Sequence, residues 1–290
     1  MHQVREFRYP DSLDQALDTL EKLSPLARVV GGGTSITRRD PDAEVFVDIT
    51  RLGISYISPS REGLLVGATT TISDLRNDRR VIKFAGGLLA RAGKAVGTVP
   101  LCNASTIGGR LISSRRHSPL SPALLVLDAV IQITRPGAEV ECVSIDDFLA
   151  NPRFRGLGRS EILTEILLPR AMEKAGTSYQ DLARTRTEPA WCQVAVSLKV
   201  PRNKIKSARI AVSGVTARAA HFPDIEAMLL GETMSEDRAV QIGSLVASQI
   251  QPARDYRAPL AYRSKLTATL VKRALLEAWE QTQEPRKGVN

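Results

Sequence analysis

Two runs of glycine and small hydroxyl residues limit most strongly what this chain can fold into. The first glycine run, Gly31 to Ser35, reads GGGTS and follows the apolar segment 27–30. The second glycine run, Asn103 to Gly109, reads NASTIGG. Because glycine has no Cβ atom, such runs let several backbone amides converge on one anion, and the hydroxyl groups add donors. As a pair they predict loops that hold a phosphate or pyrophosphate, whereas either run alone fits a simple tight turn better.

Helical and alternating apolar patterns both occur along the chain. The stretch 170–177 is polar and aperiodic, which predicts a domain boundary. Periodicity predicts helices at 12–23, 86–96, 121–128, 222–230, 236–249 and 261–280, the first capped by Ser12, and a further helix entered from the loop 69–75. It predicts strands at 27–30, 45–49, 64–68, 130–134, 139–143, 194–200 and 208–215, with 130–134 and 139–143 paired as a hairpin.

Composition and motifs exclude several classes of protein and site. With 43% hydrophobic residues in a length of 290, the chain can bury a core, which excludes a disordered or fibrous protein and suggests two domains. The three cysteines lie far apart, so we expect neither a disulfide framework nor a zinc or iron–sulfur site built by this chain alone. The sequence contains no P-loop pattern, and its three histidines are isolated.

The sequence also bears on where the protein works and what it meets. No segment reaches the roughly 18 uninterrupted apolar residues that a membrane-spanning helix needs. The first residues, MHQVREFRYPDSL, lack the apolar core of a secretory signal, so we expect a cytoplasmic protein without a membrane span. The formal net charge is +9, but the cations are scattered and few aromatic residues accompany them. This distribution favours a surface that faces a partner protein over nucleic-acid binding.

Six motifs, in order and spread over nearly the whole chain, resemble those of a known family. The run VGGGT from Val30 to Thr34 resembles the A-G-G-T-D-L loop of the FAD-binding medium subunit of molybdenum hydroxylases, the xanthine dehydrogenase and carbon monoxide dehydrogenase flavoprotein family. Five further motifs resemble segments of the same family. They are VDITRL at 47–52, LVGATTT at 65–71, Asn103 together with TIGG at 106–109, PALLVLDA at 122–129, and EILTEI at 161–166 followed by Pro169.

This resemblance implies an α+β fold, a two-subdomain FAD-binding (PCMH-like) region followed by a C-terminal antiparallel sheet-and-helix domain. The boundaries it implies are about 1–55 and 56–173 for the subdomains and 174–290 for the last domain. It also implies an oxidoreductase subunit, active only in a complex, that passes electrons through FAD to NAD or another acceptor. The expected partners are a large subunit with a molybdenum-pterin cofactor and a small subunit with [2Fe-2S] clusters, assembled as a dimer of heterotrimers.

The resemblance also implies roles for individual residues. The first glycine run would wrap the FAD pyrophosphate, three threonines would border the flavin, and part of the second glycine run would complete the cradle. No residue of this chain is expected to act as a protein catalyst or metal ligand, because the chemistry belongs to the cofactor. The implied cofactor-binding residues are Val30, Gly31, Gly32, Gly33, Thr34, Ser35, Thr69, Thr70, Thr71, Asn103, Thr106, Gly108, Gly109 and Arg110.

Three positions depart from the family pattern and keep an alternative open. Ser105 stands where the family has glycine, Arg110 where it has asparagine, and Pro119 where it has an aspartate that accepts a hydrogen bond from the cofactor. Arg110, together with Arg115 and Arg116, offers cations that compensate by facing the pyrophosphate. Alternatively, the chain is a structural subunit of the same complex whose FAD site is degenerate or lost.

Overall fold

The computed structural model describes the chain in six stretches. These are residues 5–35, 43–113, 117–157, 160–185, 187–251 and 258–283. Three sheets follow one another along these stretches, and helices cover or connect them. The mixture of helices with separate parallel and antiparallel sheets confirms the predicted α+β class.

The first sheet is small and parallel. Its strands are β1 (Glu6–Arg8), β2 (Ala27–Val30) and β3 (Val45–Asp48), arranged in the order β1-β3-β2. Helix α1 (Leu13–Lys22) connects β1 to β2 and buries its apolar face against the sheet. Ser12 caps α1, because its hydroxyl accepts a hydrogen bond of 3.2 Å from the amide three residues further on. Strand β2 ends at Val30, so the first glycine run follows it directly.

The second sheet is antiparallel and has the strand order β4-β5-β8-β6-β7. Its strands are β4 (Ile57–Pro59), β5 (Gly63–Gly67), β6 (Val130–Thr134), β7 (Val140–Ser144) and β8 (Ile162–Pro169). Strands β6 and β7 form the predicted hairpin. The helices inserted between these strands are α2 (Ile72–Asn77), α3 (Arg79–Lys83), α4 (Leu88–Lys94), α5 (Val99–Ala104), α6 (Ile107–Ser113), α7 (Leu120–Val126) and α8 (Ile145–Ala150).

The third sheet is also antiparallel, in the order β12-β11-β10-β9. Its strands are β9 (Gly176–Leu182), β10 (Cys192–Lys199), β11 (Ser207–Ser213) and β12 (Ala220–His221). The helices that follow them are α9 (Pro223–Ala227), α10 (Glu236–Gln249) and α11 (Leu260–Gln283). Strand β10 is buried on both faces: α11 packs against one face, and α7 of the preceding region packs against the other.

The second glycine run differs from its prediction as a turn. Asn103 lies in α5, and Gly108 and Gly109 lie in α6, so only Ser105 and Thr106 connect the two helices. The physical reason is that Gly108 serves a close approach and not a bend. A Cβ atom at Gly108 would lie 3.0 Å from both the Cβ and the carbonyl oxygen of Ala68. The helix predicted at 86–96 begins later, at the first residue of α4, because the preceding backbone has positive φ angles.

The sequence predicts no strand at β9, of which only Gly176 and Thr177 fall within the predicted boundary 170–177. Its buried first half carries glycine and hydroxyl-bearing residues on both faces instead of aliphatic ones. Gly176, Thr177, Ser178 and Tyr179 are all buried. A Cβ atom at Gly176 would lie 2.3 Å from the carbonyl oxygen of Ala278, so α11 approaches this strand too closely for larger residues. Hydrophobic periodicity cannot detect a strand packed in this way.

An ionic cluster joins the third sheet to the region before it. Arg209 Nη2 lies 2.8 Å from Asp128 Oδ1, and His221 Nε2 lies 3.0 Å from Asp146 Oδ1. Glu226 is buried beneath both cations, with Oε2 at 3.5 Å from Arg209 Nη1 and 3.4 Å from His221 Nδ1. The two aspartates follow or belong to α7 and α8, whereas the other three residues belong to the C-terminal part of the chain. The cluster therefore ties the two parts together.

The ionic cluster predicts a stability that falls in alkaline solution. Hydrogen bonds with Asp146 and then Glu226 raise the pKa of His221 to about 9, against the lowering effect of burial, while Arg209 Nη1 lies 3.4 Å from its Nδ1. Since this pKa lies above that of an unfolded histidine, the contribution is complete below about pH 6.5 and is lost as pH rises through about 9. Thermal unfolding of the wild type between these values should show a falling midpoint. His221→Gln should lower the midpoint at the acidic end and flatten the profile; parallel profiles for the two proteins would contradict this role.

Candidate functional site

The two glycine runs meet at one cleft of about 370 Å³. We call it the glycine cleft. Its wall on one side is the first glycine run, and its wall on the other is formed by Thr69, Thr106 and the start of α6. The residues that line it are Arg28, Val29, Gly31, Gly32, Gly33, Thr34, Ser35, Ile49, Ala68, Thr69, Thr106, Gly108, Gly109, Ile112, Ser113, Leu157, Glu161, Ile162 and Leu163.

The first glycine run presents unused backbone donors to this cleft. Strand β2 stops pairing at Val30, whose carbonyl accepts the amide of Ile49 at 2.9 Å. Within the described residues, the amides of 31–35 donate no backbone hydrogen bond. Gly33 has a φ angle of +68°, which turns the run in a way that side-chain-bearing residues rarely adopt. A row of free amides beside a hydroxyl residue is suited to an anionic group such as a pyrophosphate.

The second glycine run uses its backbone differently. The amides of Ile107 and Gly108 donate to the carbonyls of Thr70 and Ala68, both at 3.0 Å. The amide of Gly109 donates to Thr106 Oγ1 at 3.2 Å. The first two bonds fasten α6 to the residues that follow β5, and the third closes the first turn of α6. Here small residues provide close packing, and the free donors lie on the opposite wall.

Very short distances separate the two glycine runs. A Cβ atom at Gly32 would lie 1.6 Å from the carbonyl oxygen of Ala104, and one at Gly31 would lie 2.8 Å from Thr106 Oγ1. The hydroxyls of Thr34 and Ser105 lie 3.1 Å apart and link the two runs directly. Only glycine at 31 and 32 lets the first run lie this close to the joint between α5 and α6.

The three threonines after β5 have different hydroxyl partners. Thr70 Oγ1 accepts the amide of Tyr56 at 3.1 Å and donates to its carbonyl at 3.0 Å. Thr71 caps α2, accepting the amide of Asp74 at 3.0 Å and donating to its carboxylate at 2.6 Å. Thr69 Oγ1 is buried and has no partner among the described residues, although the residue lines the glycine cleft. A buried hydroxyl without a partner beside free amides points to a ligand that supplies the acceptor.

Five of the predicted site residues, Val30, Thr70, Thr71, Asn103 and Arg110, do not line the glycine cleft, and Arg110 is described with the second cleft below. Val30 belongs to a small core cluster with Ala43 and Phe46. Asn103 is exposed on α5, and Thr70 and Thr71 are bonded as described. The structure thus brings 31–35, Thr69, Thr106, Gly108 and Gly109 together at one cleft.

A second and larger cleft, of about 780 Å³, adjoins the first. Ile112 and Ser113 line both. We call it the cationic cleft, because Arg91, Lys94 and Arg110 line it. The predicted site residue Arg110 is therefore placed here and does not line the glycine cleft. Arg115 and Arg116 lie outside the described residues.

The far wall of the cationic cleft comes from the C-terminal part of the chain. Asp181 and Gln193, from β9 and β10, line it together with the segment that connects these strands. Burial raises the pKa of the Asp181 carboxyl. Pro119 also lines this cleft, at the start of α7. The positions that depart from the family pattern therefore lie beside the glycine cleft and do not fill it.

Sequence motifs could not identify the apolar walls of the glycine cleft. Ile49, Ile112 and Leu163 line it, but each is an ordinary aliphatic residue, the first just after β3, the second in α6 and the third in β8. Arg28 also lines it, and its guanidinium donates to the carbonyls of Pro25 and Ala27, which orients it along the chain. Only their positions in the folded chain distinguish such residues from the rest of the core.

Metal sites and membrane spans are not found in the described part of the chain. No group of three or more histidine, cysteine, aspartate or glutamate side chains there has the arrangement of a metal site. Cys102 and Cys192 are buried, Cys142 is exposed, and all three are free thiols. No described helix combines the length and apolar character needed to cross a bilayer.

Comparison with known protein families identifies the family to which this chain belongs. Residues 3–171 match the FAD binding domain of molybdopterin dehydrogenases, and residues 177–278 match the C-terminal domain of the CO dehydrogenase flavoprotein. The chain belongs to the FAD-binding medium subunits of molybdopterin dehydrogenases. This confirms the family predicted from the six motifs and FAD as the cofactor of this kind of domain. The free amides, the unpaired Thr69 hydroxyl and the glycine clearance fit such a cofactor.

Relatives of this medium subunit extend over almost the same length. The glyceraldehyde dehydrogenase medium chain of Sulfolobus acidocaldarius is 28% identical over 94% of this chain and 98% of its own length. The nicotine 6-hydroxylase medium subunit of Paenarthrobacter nicotinovorans is 24% identical over 94% of this chain and 96% of its own. The solved structure of carbon monoxide dehydrogenase from Hydrogenophaga pseudoflava, in a form lacking the Mo-pyranopterin moiety, has a chain that is 25% identical with a TM-score of 0.88, covering 96% of this chain and 98% of that one.

The contact between Gly32 and Ala104 predicts the effect of a single methyl group. In Gly32→Ala the new Cβ would lie 1.6 Å from the Ala104 carbonyl oxygen, so the first glycine run must move away from α5. We expect a loss of about 1–3 kcal/mol in the free energy of unfolding and a loss of FAD binding. Denaturant unfolding and FAD titration measure the two effects.

Gly137→Ala is the matched control for Gly32→Ala. Gly137 has a φ angle of +80° but no atom within 4 Å of the new Cβ. It should cost about 1–2 kcal/mol from backbone strain alone and leave FAD binding intact. Normal FAD affinity in Gly32→Ala would show that the close approach does not shape the site.

The unpaired Thr69 hydroxyl predicts opposite effects on stability and binding. Thr69→Val keeps the shape of the side chain and removes a buried group that has no partner in the described protein. The cofactor-free protein should therefore be as stable as the wild type or more stable, while FAD affinity should fall by about 3- to 10-fold. Thr70→Val is the neighbouring control. It breaks both hydrogen bonds with Tyr56 and should lower stability with little effect on affinity. The prediction is wrong if Thr69→Val binds FAD normally.

Proposed function

We propose that this chain is the FAD-carrying electron-transfer subunit of a multi-subunit molybdenum hydroxylase. In this proposal electrons arrive from [2Fe-2S] clusters on a small partner subunit, pass through the FAD, and leave to NAD or another acceptor. A large partner subunit carries the molybdenum-pterin cofactor. The observation that carries the proposal is that the glycine cleft is lined by 31–35, whose amides donate no backbone hydrogen bond within the described residues, and by Thr69, whose buried hydroxyl has no partner there.

The residues of this chain would bind and orient the cofactor. The amides of 31–35 would donate to the pyrophosphate oxygens, and the Thr34 and Thr69 hydroxyls would add two donors from opposite walls. The apolar wall of Ile49, Ile112 and Leu163 would exclude water from one side. When bound, the flavin supplies the ability to exchange electrons singly or in pairs, which no protein side chain of this cleft offers.

A second candidate is a structural subunit of the same complex that has lost FAD. The positions that raise this alternative are Ser105, Arg110 and Pro119. Ser105 has a φ angle of −71°, so its Cβ requires no unusual backbone. Arg110 and Pro119 line the cationic cleft and leave the glycine cleft open. These placements support retention of FAD over its loss.

We propose that the chain divides near residue 173, with the FAD-binding region as 1–173 and subdomains of about 1–55 and 56–173. The last strand of the second sheet ends at Pro169, and β9 of the third sheet begins at Gly176. Strand β3 of the first sheet ends at Asp48 and β4 of the second sheet begins at Ile57, which supports the boundary near residue 55 between the two subdomains. The C-terminal domain would then be 174–290.

The proposed assembly is a dimer of heterotrimers in the cytoplasm. The three cysteines are free and form no cluster, which supports iron–sulfur ligands on a partner and a reducing compartment. The net charge of +9 supports docking to acidic partner surfaces. The relatives bear the names of enzymes for glyceraldehyde, nicotine and carbon monoxide, so we propose that the large subunit and not this chain selects the substrate.

The content of flavin in the purified protein tests the proposal. We expect the chain, purified alone or with its partners, to show flavin absorption bands and to contain one FAD per chain. Protein that has lost FAD during purification should recover it on incubation with added FAD. Flavin mononucleotide, which lacks the pyrophosphate and adenylate, is the control ligand and should bind much more weakly. A folded chain that takes up no FAD would favour the structural subunit.

A further inference from the structure

We infer that Ser105 is a positioning residue for the cofactor, because it orients the Thr34 hydroxyl as a donor into the glycine cleft. This inference rests on the proposed function. Ser105 itself does not line the cleft, and the residue is only 1% exposed. Thr34 lines the cleft and is exposed there. The two hydroxyl oxygens lie 3.1 Å apart, which is a hydrogen-bond distance.

The number of protons decides the direction of this hydrogen bond. Each hydroxyl has one proton to donate and can also accept. Within the described residues, Thr34 is the side-chain partner of Ser105. If Thr34 donated, the buried Ser105 proton would have no acceptor, and buried donors are rarely left unpaired. Ser105 therefore donates to Thr34, and the Thr34 proton remains for an acceptor in the cleft.

The backbone around Ser105 holds this arrangement in place. The Ser105 amide donates to the Leu101 carbonyl at 2.8 Å, and its carbonyl accepts the Ile72 amide at 2.9 Å. The approach of Gly32 to the Ala104 carbonyl, immediately before Ser105, keeps the first glycine run against this joint. These contacts fix the two backbone segments that carry the hydroxyls, so the hydroxyls stay within hydrogen-bond reach of each other.

The acceptor that suits this proton is an anionic phosphate oxygen. The free amides of 31–35 surround Thr34 and would bind the same group, so the hydroxyl adds a donor to an existing row. Hydrogen bonds to ionised acceptors are stronger than those between neutral groups, and prior orientation of the donor removes part of the cost of binding. Ser105 would therefore act on affinity through Thr34 without touching the cofactor.

A double-mutant cycle on FAD affinity tests the inference. We expect Thr34→Val to weaken FAD binding by about 10-fold or more, since it removes a donor to a charged group. Ser105→Ala should weaken it by about 3- to 10-fold, because the Thr34 proton is then free to turn away. The double variant should bind like Thr34→Val alone, since Ser105 has no route to the cofactor except through Thr34. Titration with fluorescence detection measures all four dissociation constants.

Two controls separate positioning from a general effect on the fold. Thr134 and Thr164 form another hydroxyl pair, 3.1 Å apart and buried in the second sheet, and neither residue lines the glycine cleft. Thr134→Val removes a comparable bond and should change thermal stability without changing FAD affinity. Thr34→Ser keeps the hydroxyl and should bind within about 2-fold of the wild type, which shows that the donor and not the methyl group matters.

The outcomes distinguish failure of this inference from failure of the proposed function. A wild-type chain that binds no FAD overturns both. If the wild type binds FAD and Ser105→Ala binds equally well, only the positioning role is overturned. The same holds if the effects of Ser105→Ala and Thr34→Val multiply in the double variant, because Ser105 would then act independently. A loss of affinity in Thr134→Val equal to that in Ser105→Ala would also overturn it, by showing that loosening of the fold is sufficient.

Discussion

The close approach of the two glycine runs is the constraint on which the site depends. Backbone lies almost directly against backbone where Gly32 meets the Ala104 carbonyl, and no side chain fits between them. This contact places the free amides of 31–35 opposite Thr69 and sets the width of the glycine cleft. It also joins the end of the parallel first sheet to helices inserted between strands of the antiparallel second sheet, so the cleft lies where these two parts of the fold meet.

Context, more than residue type, determines what each hydroxyl in this region does. Thr69, Thr70 and Thr71 are the same type of residue, yet among the described residues the Thr69 hydroxyl has no partner, Thr70 bonds to the backbone of Tyr56 and Thr71 caps α2. The difference follows from where the chain turns after β5 and where α2 begins. Ser105 also takes its role from its surroundings. It departs from the family pattern, yet its hydroxyl forms a hydrogen bond with the hydroxyl of Thr34. A motif alone identifies the neighbourhood of a site and leaves the roles within it open.

The sequence predicts what local patterns determine and fails where tertiary contacts decide. Helix α1 and strands β2, β3, β6 and β10 follow from apolar periodicity and are confirmed, with shifts of a residue or two at their ends. Strand β9 does not follow, because α11 approaches it so closely that Gly176 and hydroxyl residues replace aliphatic ones. In the same way the first glycine run is recognisable as an anion loop, whereas Ile112 and Leu163 become cleft residues only through folding.

The C-terminal part of the chain lines the cationic cleft but supplies none of the residues that line the glycine cleft. Every residue lining the glycine cleft precedes β9, while the cationic cleft draws its far wall from β9, β10 and the segment between them. Arg91 lines that cleft and donates to the carbonyl and hydroxyl of Thr177, at 2.7 and 3.0 Å, with Glu277 of α11 at 3.6 Å. The position of a cleft cation thus depends on how α11 packs on β9. A change in the C-terminal helix would therefore reach the cationic cleft through Arg91 while leaving the amides of 31–35 where they are.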